Sequence, residues 1–261
     1  MLVRSWNLFH GNTVPPQRRA FLEEMIALAT ADEPDVLCVQ EVPAWALPKL
    51  TAGDVAAFPR VGPLRIPAGL GKRLTDLNHG VLRSAFSGQG NGILVAPTLR
   101  VLAHRTIPLN PRRFRDAQAR TLGLGAVARL AWARERRIVQ ALRLTDGDRT
   151  FLVANLHCTS YAADRRLADA ELVRAAWFAV SEAQPEDVVV LAGDFNVTTD
   201  TSPTLRRLAG DEWGFSPAGP GIDQILVRGA ASSPPRRWPD AQRLHDGRLL
   251  SDHAPVEVEV Q

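Results

Sequence analysis

Apolar and polar positions divide the chain into short strand-like runs, broken by two stretches of helical spacing. Residues Val188 to Ala192 are all apolar, which predicts a strand buried on both faces. Residues 1–9 alternate weakly and predict a strand ending near Trp6-Asn7. "PDVLCVQEV" reads as a short buried strand ending at Gln40-Glu41, and "NGILVA" (91–96) as another. "RRIVQALRL" and "TFLVANLH" flank Asp146-Gly147-Asp148, turn residues that predict a hairpin. "GIDQILV" and the segment after Ser251 predict the last two strands. Phe21, Leu22, Met25, Ile26 and Ala29 form one helical stripe, with Pro15-Pro16 suited to a helix start. A longer amphipathic helix is expected over 164–180, and shorter ones near 43–50 and 203–210. Residues 51–90, rich in Gly and Pro, predict no element.

Strand–helix–strand order recurs in both halves, with hairpins between. No Ser/Gly linker separates the halves and no repeat is evident. The expectation is one domain over 1–261: two sheets packed face to face, with helices outside.

Composition narrows the function classes. Hydrophobic residues make up 45% and charged residues 23% of the 261, a globular balance. No apolar run approaches a membrane span, and "MLVRSWNLFHGN" has no basic region followed by an apolar stretch. Cys38 and Cys158 lie in apolar segments and read as buried thiols, without a disulfide or zinc framework. That implies a cytoplasmic protein. The net charge of +3 is unevenly spread. From Arg100 to Arg143 there are eleven Arg against Asp116 and Glu135, a local charge of +9 that leaves −6 for the rest. Two readings stay open. A basic surface suits a polyanionic substrate. Equally, 29 of the 31 basic residues are Arg, which is compositional bias, and some would then be solvated strand faces.

The strand ends carry the chemistry. The predicted strands end or begin at Asn7, Glu41, Asn91, Asn155 and His157, Asp194 and Asn196, Asp223, and Asp252 with His253. One such residue is ordinarily a cap or a turn. Carboxylates, amides and imidazoles at so many strand ends suggest convergence on one site. Hard oxygen ligands without a Cys cluster favour Mg²⁺, Mn²⁺ or Ca²⁺ over structural zinc.

"SWN", "QE", "NGILV", "NLH", "GDFN", "GIDQILV" and "SDHAPV", in this order over residues 5–256, resemble the endonuclease/exonuclease/phosphatase superfamily of DNase I-like enzymes. The resemblance implies a four-layered α/β sandwich and metal-dependent hydrolysis of a phosphoester. It implies Glu41 as the main ligand of Mg²⁺ (or Mn²⁺), with Asn7 and Asp252 close to the ion. His253 is then the general base and Asp223 its orienting partner. Asp194 orients the water or nucleophile and is the rival base. Asn196 and Asn155 offer amide donors to the phosphate, supported by Asn91. His157 is a phosphate-binding group or leaving-group acid, and disfavours a dedicated AP endonuclease. Alternation should send Asp194 and Asn196 to the site and Phe195 into packing. Gln224 departs from the commoner His or Tyr and is expected to alter surroundings rather than the reaction.

His10, His79, His104 and His245 read as surface or loop residues. Trp177 is expected in the core, and Trp213 and Trp238 as loop plugs. Trp132 is left open between stacking and core. The expected activity is a phosphodiesterase, first of all a nuclease acting on nucleic acid. The alternatives are a phosphomonoesterase or a phospholipid head-group hydrolase, with a silent binding member last because the motif residues are all present. No obligate protein partner is evident, and a monomer is expected.

Overall fold

The protein is described from a computed structural model, which covers residues 1–17, 19–50, 56–57, 60–61, 89–134 and 136–261. Its main strands are β1 (Leu2–Asn7), β2 (Val36–Pro43), β3 (Gln89–Val95), β4 (Arg100–Pro108), β5 (Ile138–Thr145), β6 (Thr150–His157), β7 (Val188–Asp194), β8 (Asp223–Arg228) and β9 (Val256–Glu259). Among the described residues the α-helices are α1 (Leu22–Thr30), α2 (Arg112–Thr121), α3 (Ala126–Arg134), α4 (Arg166–Glu182) and α5 (Pro203–Leu208).

β9, β1, β2 and β3 are consecutive in one mixed sheet, extended at its edges by short strands. The second sheet runs β8–β7–β6–β5–β4. Each sheet holds one parallel pair, β1 with β2 and β6 with β7. A parallel pair needs a crossover, and α1 and α4 supply it. The other neighbours are antiparallel, including the predicted β5–β6 hairpin.

The layers follow from alternation. In β7, Val188, Val190 and Ala192 join the core between the sheets, beside Val3, Cys38, Phe151 and Val258. Val189 and Leu191 face the other way and pack with Leu172, Ala176 and Phe195 under α4 and α5. On the far side, Met25 and Ile26 of α1 cover Trp6, Leu37 and Val39. The order α1–sheet–sheet–α4 is the expected four-layered sandwich. Both cysteines are buried and free.

Several elements differ from their sequence readings. The first helix starts at Leu22, well past Pro15-Pro16, because Thr13–Val14 is drawn into an extended pairing with Leu249–Leu250. The 43–50 segment is a single 3₁₀ turn, Leu47–Lys49. The hairpin α2–α3 lies where no element was predicted. Trp177 is 62% exposed, not core. The buried stripe of α4 runs through Ala168, Leu172, Ala175, Ala176 and Ala179, and Trp177 lies nearly half a turn from its centre. Trp132 and Trp238 are buried, and Trp213 packs partly buried against the core under α4. His79 lies outside the described residues. Among the described residues no helix is long and apolar enough to cross a membrane.

Candidate active site

Topology gathers the polar strand ends. Asn7 and Glu41 lie at the carboxyl ends of one parallel pair, His157 and Asp194 at the ends of the other. Ligand sites of α/β sheets form at such ends. β8 runs antiparallel to β7, so its first residue, Asp223, sits opposite Asp194. β9 runs antiparallel to β1, which returns the "SDH" turn to the same mouth. Gly193 permits the close approach of β7 to β6. Its φ is +141°, and a Cβ there would lie 1.9 Å from the Leu156 carbonyl oxygen.

Asp194 is the hub. Its Oδ1 accepts the Asn196 backbone N–H at 2.9 Å, and its Oδ2 accepts from Asn7 Nδ2 at 3.0 Å. The same Oδ2 lies 3.4 Å from His157 Nε2 and 3.9 Å from His253 Nε2. Phe195 is fully buried in the core under α4, as alternation required.

His253 Nδ1 meets Asp223 at 2.8 Å. The turn that carries it is clamped from three sides. Trp6 Nε1 donates to the His253 carbonyl at 2.9 Å. Ser251 Oγ donates to Asn7 O at 2.7 Å and accepts the His253 N–H at 3.0 Å. Buried Arg243 donates to the carbonyls of Leu250, Ser251 and His253. Gln224 braces the loop before Asp223 through Gly219 and the Gly221 carbonyl. It shapes the surroundings, as its departure from the motif suggested.

Glu41 faces two histidines. His10 Nε2 is 3.1 Å from one carboxylate oxygen and His157 Nε2 is 3.7 Å from the other. His10 is therefore buried at the site, not a surface residue. The bend after β1, with left-handed φ at Phe9 and His10, places it there. Its one sequence signal was position, three residues beyond Asn7. Arg137 has an NH1–Nδ1 distance of 2.8 Å to His157. Arginine has no acceptor, so His157 Nδ1 carries the lone pair and the proton lies on Nε2. That Nε2 is buried without a hydrogen-bond partner and aims at the carboxylates.

Left-handed backbone concentrates here. Phe9, His10, Glu41, Asn196 and Ser251 all have positive φ. Such conformations in residues other than glycine persist where surrounding contacts over-determine them, typically at functional sites.

The expected asparagine roles change in part. Asn155 is fully buried between the sheets, donating to Val39 O and Gly92 O and accepting from Gln40. Both its amide hydrogens are engaged, so it ties the sheets together and offers none to a phosphate. Asn7 Oδ1 accepts the Phe9 N–H while Nδ2 serves Asp194, so its nitrogen and not its oxygen faces the cluster. Asn196 donates to the Cys158 carbonyl. Asn91 reaches Ile138 O at 3.3 Å.

The electrostatics are those of crowded acids. Burial raises Asp194, and the neighbouring charge of Asp223 adds to it. Burial also raises Asp252, with Glu41 adding to it. Glu41 goes the other way: its burial is outweighed by His10, His157 and Arg137, which hold it well below the usual carboxylate range. Burial and the Arg137 charge keep His157 neutral. For His253, burial is overcome by the Asp223 hydrogen bond and by the charges of Asp223, Asp194 and Asp252, which lift it to about 10. Ligand atoms of Asp194, Asp223 and His253 lie within 4.8 Å of one another. Four carboxylates at one mouth, with Asp194 and Asp252 pushed towards protonation, fit a hard divalent cation.

A model of the Endonuclease/Exonuclease/phosphatase family matches residues 5–253. No curated protein sequence matches significantly. Several solved structures share the fold. The human Nocturnin catalytic domain with bound sulfate aligns over 100% of this chain and 94% of its own, with TM-score 0.67 and 16% identity. D. rerio TDP2 complexed with single-strand DNA product aligns over 100% and 98%, with TM-score 0.63 and 15% identity. An endonuclease/exonuclease/phosphatase from Bacteroides vulgatus aligns over 100% and 98%, with TM-score 0.67 and 18% identity.

Proposed function

Since the chain belongs to the Endonuclease/Exonuclease/phosphatase family, we propose that it hydrolyses a phosphodiester of nucleic acid with the help of Mg²⁺ or Mn²⁺. One observation carries this reading. Glu41, Asp194, Asp223 and Asp252 converge with His157 and His253 at one mouth, and the donors around them are already oriented. The single-strand DNA product in the D. rerio TDP2 complex supports nucleic acid as the substrate class.

Glu41 and Asp252 would hold the ion, with Asp194 or Asp223 next in reach. When bound, it would neutralise phosphate charge and acidify a water. Asp194 Oδ2 and His253 Nε2, 3.9 Å apart, face one another across the place where a water can touch both. Asp194, fixed by Asn7 and Asn196, orients that water. His253 takes its proton in the neutral form, which its pKa of about 10 makes available only as pH rises, and Asp223 stabilises the resulting imidazolium through Nδ1–H. His157 serves as a phosphate-binding donor through Nε2–H. As a leaving-group acid it would have to become an imidazolate, which its neutral state makes costly.

The test is hydrolysis of supercoiled plasmid against a panel of phosphomonoesters and sphingomyelin, with and without Mg²⁺, with His253→Ala as the control for contaminating nuclease. Nicking that requires both Mg²⁺ and His253 is expected. Silence on DNA with phosphate or head-group release from the panel would reassign the substrate.

A further inference from the structure

The hairpin α2–α3, inserted between β4 and β5, is rooted at the active site. Leu109 N–H donates to Arg137 O at 2.8 Å, and Arg137 N–H donates to Asn110 Oδ1 at 3.1 Å. The guanidinium of that same Arg137 holds His157. The hairpin is also docked on α4. Trp132 is fully buried, and its indole N–H donates to Glu171 at 2.6 Å. The other oxygen of Glu171 accepts the Thr159 N–H, two residues beyond His157.

Its outer surface is basic. From Arg112 to Arg137 there are eight Arg against Asp116 and Glu135. Arg112 pairs loosely with Asp116 at 3.6 Å. Arg113, Arg120, Arg134 and Arg136 are exposed and make no ion pair among the described residues. Elsewhere Arg143, Arg166, Arg207 and Arg243 are each matched by a carboxylate. Exposed Arg100, Arg206 and Arg237 likewise make no ion pair among the described residues, so what sets the hairpin apart is the density of its arginines and its root beside His157.

The basic surface continues into an aromatic groove. Phe114 of α2 lines a groove of about 450 Å³ with Arg174 and Trp177 of α4. The Arg174 guanidinium lies 5.1 Å from the Phe114 ring centre. The exposed Trp177 is edge-on to Trp213, with ring centres 4.9 Å apart. A polyanion with accessible flat apolar faces is single-stranded nucleic acid. Its phosphates suit exposed arginines, and its bases stack on an indole. A duplex keeps its base faces hidden.

We propose that the α2–α3 hairpin and the adjoining groove on α4 form a binding surface for single-stranded nucleic acid, with the hairpin arginines on phosphates and Trp177 under a base. The assignment rests on the phosphodiesterase reading for its substrate class, but its test does not depend on turnover.

Fluorescein-labelled oligothymidylates of about 4 and about 16 nucleotides, titrated without divalent metal and followed by anisotropy, measure it. The longer strand should bind at least about tenfold more tightly. Combined Arg113→Gln, Arg120→Gln and Arg134→Gln should weaken it about tenfold and reduce the salt slope by about 2. Trp177→Ala should weaken it about five- to tenfold. Both variants should hydrolyse bis-p-nitrophenyl phosphate like the parent, because none of the altered residues touches the active site. Unchanged binding of the long strand by the arginine variant would overturn the proposal, whatever the hydrolysis assay shows. So would duplex binding as tight as single-strand binding, or loss of phosphatidylserine-vesicle binding in place of oligonucleotide binding. Length-dependent binding with no phosphodiester hydrolysed at all would overturn the activity reading and leave the surface standing. The arginine positions are exposed, so that variant decides the matter even if Trp177→Ala does not fold.

Discussion

Glu41 and Asp194 close two equivalent strand–helix–strand units, β1–α1–β2 and β6–α4–β7, yet their carboxyls are pushed in opposite directions. Glu41 stands among His10, His157 and Arg137 and stays ionised. Asp194 is buried opposite Asp223 and is drawn towards protonation. Environments that separate the titrations of neighbouring acids also separate their roles. A permanently charged carboxylate suits a cation ligand. A carboxylate near its protonation point, held 3.9 Å from an imidazole, suits water and proton handling.

Removing either side tests the contrast. Asp194→Asn should have the largest effect, about 10³-fold or more on kcat/KM at saturating Mg²⁺. It should also lower the His253 pKa, because the charge of Asp194 contributes to raising it. NMR titration of the imidazole ring would read this, and an unmoved pKa would separate the two groups. Glu41→Gln should instead act on metal affinity, weakening Mg²⁺ activation by about tenfold or more, with partial rescue by excess Mg²⁺. Failure of rescue with an intact fold would remove Glu41 from the ligand set.

Arg137→Gln should lower kcat/KM by about 10- to 100-fold. It frees His157 Nδ1 and removes a positive charge that depresses the ring, so the His157 pKa should rise. Arg137→Lys, which keeps the charge and a donor, should recover part of both. No change in the His157 titration would place Arg137 outside the site.

The smallest effect concerns pH. A base whose pKa is raised becomes competent only as pH increases, so metal-independent titration of His253 should centre near 10. The same shift stabilises the fold. His253 binds its proton more tightly in the folded state, so its contribution is complete below the ordinary value of 6.5 and is lost as pH rises through about 10. The Tm difference between the parent and His253→Ala should narrow across that window. A constant difference would mean that the His253–Asp223 pair is not charge-assisted.

Much of this was legible along the chain. The alternation of β7 placed Phe195 in the core and Asp194 at the mouth, and the turn residues at 146–148 marked the β5–β6 hairpin. These are local properties, set by side-chain period and turn chemistry within a few residues. The site residues were legible as polar groups at strand ends, because apolar runs stop where the chain leaves the core. Their partners were not. Arg137 meets His157 across twenty positions, and His10 meets Glu41 only after a left-handed bend. Asn155 and His157 lie on the same face of β6, but Asn155 is deep enough to be consumed between the sheets while His157 emerges at the mouth. Trp177 misled because residues 175–180 are apolar all round the helix, so periodicity there marks no face, and only packing against β7 decides which of them the core covers.

The sequence by itself determined most of the strands, though not β4, together with the two crossover helices and the set of ionisable groups at the strand ends. The tertiary structure alone decided which donor faces which acceptor, which asparagine is spent on holding the sheets together, and which of two similar carboxylates is charged. Those outcomes depend on distances of a few ångströms and on burial, and both arise only when residues far apart in the chain are brought into one low-dielectric space.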